Sequence, residues 1–329
     1  MASTETAAAK TPQERHEVER LSLLTRLAVN DWLTFVYLLG LNLAWLTSPD
    51  SEHKRISGPM VAGLLLAFVV LVILVARASR LPAKVRALAY RIGQFGCLQA
   101  SYFVLADLLP AIDPGTLDAE LYALDLKLFG IEPAILFDAW VGSATTEWFS
   151  FFYYSYFFLL AAHIFPIIFW GRDLRLVAQF GLGMTVVVAV GQTCYMLVPG
   201  FGPYHATPEL FANQLPPGLW WNLVTNLVEH GGAQKDIFPS LHTALPSFLL
   251  MFSFQHRKLD PYRWTWPIVG FIAINIIAAT MFLRWHWLID VIAGLCLSTV
   301  ALIVSSTVSR WEARHRASTG LEPNWPPLS

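Results

Sequence analysis

The feature that most restricts this chain is a series of apolar blocks 17 to 23 residues long, separated by charged or turn-forming segments. A block of that length, wound as a helix, matches a hydrocarbon layer about 30 Å thick. Eight can be drawn, over 32–48, 59–76, 90–109, 148–170, 177–198, 237–254, 266–283 and 286–308. Lipid offers the backbone no hydrogen-bond partner, so each block is expected to be helical. The chain therefore reads as an all-α protein, a polytopic membrane bundle of about eight transmembrane helices. Composition agrees, with 55% hydrophobic and only 14% charged residues among 329, where soluble domains carry about 25% charged. A single water-soluble globule is excluded. A net charge of −1 leaves no basic surplus for nucleic acid.

Cys97, Cys194 and Cys296 lie far apart inside apolar blocks, which supports neither a disulfide framework nor a paired-cysteine metal site. Residues 1–29 hold no short apolar stretch ending at a small-residue cleavage site, so the first block is expected to stay in the mature protein. Orientation follows from the basic residues. Lys54, Arg55, Lys127, Lys235 and Arg284 fall on one side of the eight blocks and the other 17 of the 22 on the opposite side. The basic side faces the cytoplasm by the usual bias, so both termini are expected there. Trp32, Trp148, Trp170, Trp266, Trp285 and Trp311 sit at or near block ends, where amphipathic rings prefer the membrane interface. Residues 10–26 are expected to form a charged interfacial helix, and the proline-rich end LEPNWPPLS is not expected to fold alone. Two non-cytoplasmic segments, 110–147 and 199–236, exceed the common loop length of about 12 to 15 residues and are candidates to roof a site.

Ionisable residues near membrane depth are costly and so point to function. The sixth block opens with Phe238-Pro239-Ser240-Leu241-His242 and the eighth with Arg284-Trp285-His286-Trp287-Leu288-Ile289-Asp290. Both enter from the non-cytoplasmic face, so the two segments can meet. His286 and Asp290 are four apart, one helical turn from each other. A carboxylate there can fix the imidazole tautomer and leave the second nitrogen free as nucleophile or base. The same spacing also arises where a buried His and Asp merely satisfy one another. Pro-Ser-Leu-His adds a well-capped helix N-terminus whose amides, at Leu241 and His242, suit an anion. Two histidines, one carboxylate, Arg284 and Lys235 make a set suited to phosphoryl transfer, with one His attacking phosphorus and the other protonating the leaving alcohol.

These residues resemble the type 2 phosphatidic acid phosphatase (PAP2) superfamily, where a Pro-Ser-Gly-His motif and an Arg-x5-His-x3-Asp motif on a six-helix core form a phosphohistidine site. The branch most alike is that of the inositol phosphotransferases, which includes fungal inositol phosphorylceramide synthase. Further likenesses are Leu124-Asp125 with Leu128-Phe129-Gly130, Glu147 with Tyr154-Ser155-Tyr156, and Pro199-Gly200-Phe201-Gly202-Pro203-Tyr204. The resemblance implies His286 as nucleophile, Asp290 as its orienting partner, His242 as general acid and Ser240 as a phosphate holder, with no metal and no cofactor. Three departures stand out: no Arg-Pro pair occurs, Thr280 occupies the place of the third-motif Arg, and Leu241 replaces the glycine. Arg284 and Lys235 are then the candidate phosphate-contacting cations, and Gly202, Tyr204 and His205 candidates for the site mouth.

The implied organisation is a cytoplasmic segment over 1–31, two additional helices over 32–89, a PAP2-like catalytic membrane domain over 90–308 and a cytoplasmic tail over 309–329. The implied activity is that of a lipid phosphatase or phosphotransferase acting at the non-cytoplasmic face on a phospholipid or isoprenoid phosphate in the bilayer. The alternative is a head-group transferase of the inositol phosphorylceramide synthase type. A proton-coupled transporter is a third reading, opposed by the gathering of charged groups at one face. Asp107 is expected to face water or a neighbouring helix, His163 and Gln192 to satisfy helix-to-helix hydrogen bonds, and Tyr153, Tyr154 and Tyr156 to pack.

Overall fold

A computed structural model describes residues 24–328 except 79, 113–114 and 232. All but the last three residues of the expected interfacial helix therefore lie outside the described residues. Every apolar block is a helix. In chain order, α1 spans Val29–Thr47, α2 Glu52–Phe68 with π-helical turns continuing over Val69–Ala78, α3 Ala83–Ile112, and α4 Asp118–Phe129. Then come α5 Ser143–Trp170, α6 Leu174–Leu197, α7 Leu219–Gly231, α8 Leu241–Gln255, α9 Tyr262–Phe282 and α10 Leu288–Thr319. The described residues contain no strand, and an isolated bridge pairs Gly200 with Asp236.

Six of these segments are long and apolar enough to cross a membrane, over Glu52–Arg77, Ala83–Ile112, Ser143–Trp170, Leu174–Leu197, Tyr262–Phe282 and Leu288–Thr319. Helices α1 and α8 are not among them. The case of α8 bears on function. The apolar run reads from 237, but Ser240 caps the helix by accepting a hydrogen bond from the Thr243 amide at 3.2 Å, so the first turn starts at Leu241. Its 15 residues span only about 22 Å at 1.5 Å per residue. Such a short helix fits because α8 sits in the middle of the bundle, packed against α5, α6, α9 and α10. Just ahead of it Ile237, Pro239 and Ser240 are buried, a setting in which irregular backbone is tolerated at membrane depth.

Around α8, helix α10 also lies along α6, and α9 lies along α5; α2 packs on α3, and α1 contacts α2, α3 and α6. Leu39, Leu43, Leu66, Phe158, Ile274 and Ile303 stay exposed on the outer surface, as lipid-facing residues do. Trp32, Trp148 and Trp170 are exposed within the first or last turns of their helices, as expected for interface rings; Trp311 is exposed within α10, and Trp266 is partly exposed. Trp285 is not: it is 5% exposed and packs against Tyr204 and Trp221.

At the other end of the bundle a buried polar hub joins α1, α2 and α3 to the C-terminal tail. The Asp31 carboxylate accepts from Arg77 at 2.9 Å, Tyr90 at 2.6 Å and Gln94 at 2.8 Å, while Arg77 also donates to the Asn324 carbonyl at 2.6 Å. Trp325, 1% exposed, packs edge-on to Tyr90 and fills the space left by Gly181. The proline-rich tail is therefore docked onto the bundle instead of folding by itself. Breaking a buried ion pair from one side leaves a bare charge, so Asp31→Ala is expected to cost about 3–5 kcal/mol. Thermal unfolding in detergent measures it; an unchanged midpoint would show that the hub does not hold the first two helices.

Candidate active site

Two backbone features bring the Pro-Ser-Leu-His and His-x3-Asp segments together. The Ser240 amide donates to the Asp290 carbonyl at 3.0 Å, tying the start of α8 to the first turn of α10. The crossing is close because of Gly294: a Cβ there would lie 2.6 Å from the Ser240 carbonyl oxygen. As a result the His242 and His286 rings stand 6.4 Å apart, centroid to centroid. Both line one cavity of about 260 Å³, together with Asp236, His205, Tyr102 and Tyr153. A larger cavity of about 480 Å³ between α5, α6 and α9 contains His163, Arg172, Asp173 and Asp260 but neither of these two histidines. Chemistry converges in the smaller one.

His286 sits in the turn between α9 and α10. The Trp285 and His286 amides both donate to the Thr280 carbonyl, at 2.9 and 3.2 Å, so the turn is wound back over the end of α9. Arg284 takes φ +66, a left-handed conformation rare outside glycine. The Asp290 Oδ2 accepts the Trp287 amide at 2.9 Å as a helix cap and lies 3.5 Å from His286 Nδ1, which is buried without a hydrogen-bond partner among the described residues. Asp125 completes the cap by accepting the Leu288 and Ile289 amides at 2.8 and 2.9 Å. His242 is clamped between aromatic rings: Tyr153 stacks on it at 4.2 Å with 13° between planes, and Tyr156 lies at 4.2 Å on a tilt. Its Nε2 is buried without a hydrogen-bond partner.

The remaining sequence candidates have distinct places. Ser240 is fully buried as the α8 cap and does not line the cavity; Leu241 packs against Gly191. Gly202 has φ +77 and donates its amide to Asp118 at 2.9 Å; a Cβ on it would lie 2.2 Å from the Trp285 carbonyl oxygen. Tyr204 donates its amide to the Arg284 carbonyl at 2.7 Å and packs its ring on Trp285, supporting the histidine-bearing turn from beneath. His205 lines the cavity, and Lys235 holds its ammonium 5.8 Å from the centroid of Phe201, another lining ring. Arg284 is the candidate that points elsewhere. Its guanidinium donates to Asp138 at 2.7 Å and to the Asn213 carbonyl at 2.6 Å and lies over Phe211, outside the cavity lining. Charge and position near His286 suggested phosphate binding, but the side chain, on a left-handed backbone, lies against Phe211 and Asn213 in the loop that follows Pro199-Gly200-Phe201-Gly202-Pro203-Tyr204.

Asp107 pairs with His53 at 3.0 Å, and Gln192 accepts from Tyr37 and from Ser101, the helix-to-helix role expected of it. His163 bonds the Leu159 carbonyl of its own helix. Two cavity residues escaped the sequence reading. Asp236, six residues before His242, accepts the Tyr102 hydroxyl at 2.8 Å. Burial pushes its carboxyl up to about 6, against the opposing pull of Tyr102 and of a protonated His286. The signal for Asp236 was present, as an acidic residue on the same loop as the Pro-Ser-Leu-His. For Tyr102 there was none, because α3 reaches the site only through packing. The Tyr102 hydroxyl favours the ionised carboxylate, so Tyr102→Phe is expected to move the Asp236 midpoint above its value of about 6. Infrared titration of the carboxyl band reads this, and a midpoint unchanged or lowered would show that the hydroxyl does not act on Asp236.

In comparison with known families, the sequence model of the PAP2 superfamily matches residues 119–304, more than half of the chain. No protein of curated function and no solved structure matches significantly. The matched region includes α5, α6, α8, α9, both histidines and Asp290, and stops short of α1 to α3. The chain belongs to the PAP2 superfamily.

Proposed function

We propose that this member of the PAP2 superfamily is an integral membrane lipid phosphatase or phosphotransferase that works through a phosphohistidine on His286. The observation that carries the reading is the convergence of His242 and His286, from two distant segments, on one cavity with ring centroids 6.4 Å apart. A phosphorus atom between the rings is in reach of both. Neutral His286 attacks phosphorus, and Asp290 beside Nδ1 stabilises the cation that forms on the ring. His242 protonates the departing oxygen, which spares the lipid alcohol from leaving as an alkoxide. In the second half the roles reverse: His242 takes the proton of the incoming hydroxyl as its oxygen attacks the phosphohistidine. Water as acceptor gives hydrolysis; a lipid hydroxyl gives head-group transfer, as in the inositol phosphorylceramide synthase type.

Lipid access fits this scheme. Phe103 lines the cavity and is also 53% exposed on the outer surface of the bundle, so the cavity wall is continuous with the lipid-facing side. An amphipathic substrate can keep its chains in the bilayer while its phosphate enters.

The test uses the purified chain in detergent with a chelator, assayed for phosphate release or head-group transfer from phospholipid and isoprenoid phosphate substrates. Wild-type activity is expected to persist, to vanish in His286→Ala and to fall by roughly 10²–10⁴-fold in His242→Ala. Strict dependence on a divalent metal, or full activity in His286→Ala, would overturn the reading. The reading also places the cavity on the non-cytoplasmic face, the side holding 5 of the 22 basic residues. A cysteine at exposed Gln234 should then react with an impermeant maleimide added to intact cells. Labelling only after permeabilisation would reverse the orientation.

A further inference from the structure

Charge inside the cavity narrows the substrate class, and the argument rests on the phosphohistidine reading above. Among the described residues no Lys or Arg side chain lines the cavity. Arg284 is committed to Asp138 and Asn213, and Lys235 lies outside the lining beside Phe201. Among the described residues the one carboxylate in the lining is Asp236. A phosphate monoester dianion entering here would meet the partly buried Asp236 carboxylate with no Lys or Arg in the described lining to offset the repulsion. The same carboxylate becomes favourable if the ligand brings a positive charge of its own.

The walls point the same way. Tyr102, Tyr153, Phe157, Phe201 and Trp285 line the cavity with Asp236 among them. Aromatic faces grouped with a carboxylate attract ammonium groups, quaternary ones included. Burial holds Asp236 up to about 6, with Tyr102 and a protonated His286 opposing it. A volume of about 260 Å³ holds a small head group but leaves the chains of a lipid to exit past Phe103.

We propose that the donor is a zwitterionic phosphodiester lipid whose head-group ammonium binds between Asp236 and the aromatic walls while its phosphorus lies between His242 and His286. In the first step a P–N bond forms at His286 as the P–O bond to the diacylglycerol oxygen breaks, and His242 gives its proton to that oxygen. The phosphoammonium head group stays on His286. It then passes to water or to a lipid hydroxyl, whose proton returns to His242, and the P–N bond breaks.

The experiment offers the full chain four lipids separately in neutral detergent micelles: phosphatidylethanolamine, phosphatidylcholine, phosphatidylinositol and phosphatidic acid. Diacylglycerol release is measured in the wild type, Asp236→Asn and His286→Ala. One of the two zwitterionic lipids is expected to exceed phosphatidylinositol and phosphatidic acid in kcat/KM by about tenfold or more, the effect of one ammonium contact. Asp236→Asn should lower kcat/KM for the zwitterionic lipid more than for phosphatidylinositol, removing most of that preference. Preference for phosphatidic acid or phosphatidylinositol, or an equal loss on all four lipids in Asp236→Asn, overturns the head-group assignment. If those activities still vanish in His286→Ala, the phosphohistidine reading survives it. No release from any of the four also overturns the assignment, and radiolabel transfer from an isoprenoid phosphate to His286 then judges the phosphohistidine reading by itself.

Discussion

The half of the molecule that carries His242 and His286 depends on carboxylates that hold backbone amides. Asp118 accepts the Phe201 and Gly202 amides, Asp125 those of Leu288 and Ile289, Asp138 those of Ala212 and Asn213, and Glu147 those of Trp220 and Trp221. All four acids come from residues 118–147 and every amide comes from a segment at least 70 residues later. Irregular backbone in a membrane protein must find partners inside the protein, and an ionised acceptor makes the stronger kind of hydrogen bond. One stretch of chain therefore serves as the scaffold on which the long 199–240 segment and the start of α10 are laid.

That scaffold explains why the histidines can be placed without a helix reaching across the site. α10 starts under the grip of Asp125 and Asp290, and α8 starts on the Ser240 to Asp290 bond. Two helix N-termini are fixed against each other at Gly294, where a side chain would separate them. The turn carrying His286 is held from below by Gly202 and Tyr204 and from the side by the Arg284 to Asp138 pair. Arg284 thus acts on the site by fixing the turn that carries His286, with its charge paired to Asp138.

How much of this could be read in advance varied with the kind of interaction. The helices were legible because length and apolarity answer to one dimension of the bilayer, and all eight blocks are helical. His242, His286 and Asp290 were legible because both segments enter from one face and His286 and Asp290 share a helical spacing. Arg284 misled, since its position beside His286 does not reveal a left-handed backbone that swings it to Asp138. Trp285 misled for the opposite reason: a tryptophan near a block end suggests the interface, but packing by Tyr204 and Trp221 buries it. Tyr102 could not be found at all, because its link to Asp236 crosses 134 positions of chain.

The sequence by itself determined that this chain lives in a membrane as a helical bundle, and that an imidazole pair enters from one side of it. Hydrophobic length and local periodicity are one-dimensional properties, and they suffice for both. Only the tertiary structure decided which charges reach the cavity. A side chain's final direction depends on backbone dihedrals and on partners supplied by distant segments, so Asp236 faces the histidines while Arg284, closer to His286 in the chain, is drawn away by Asp138.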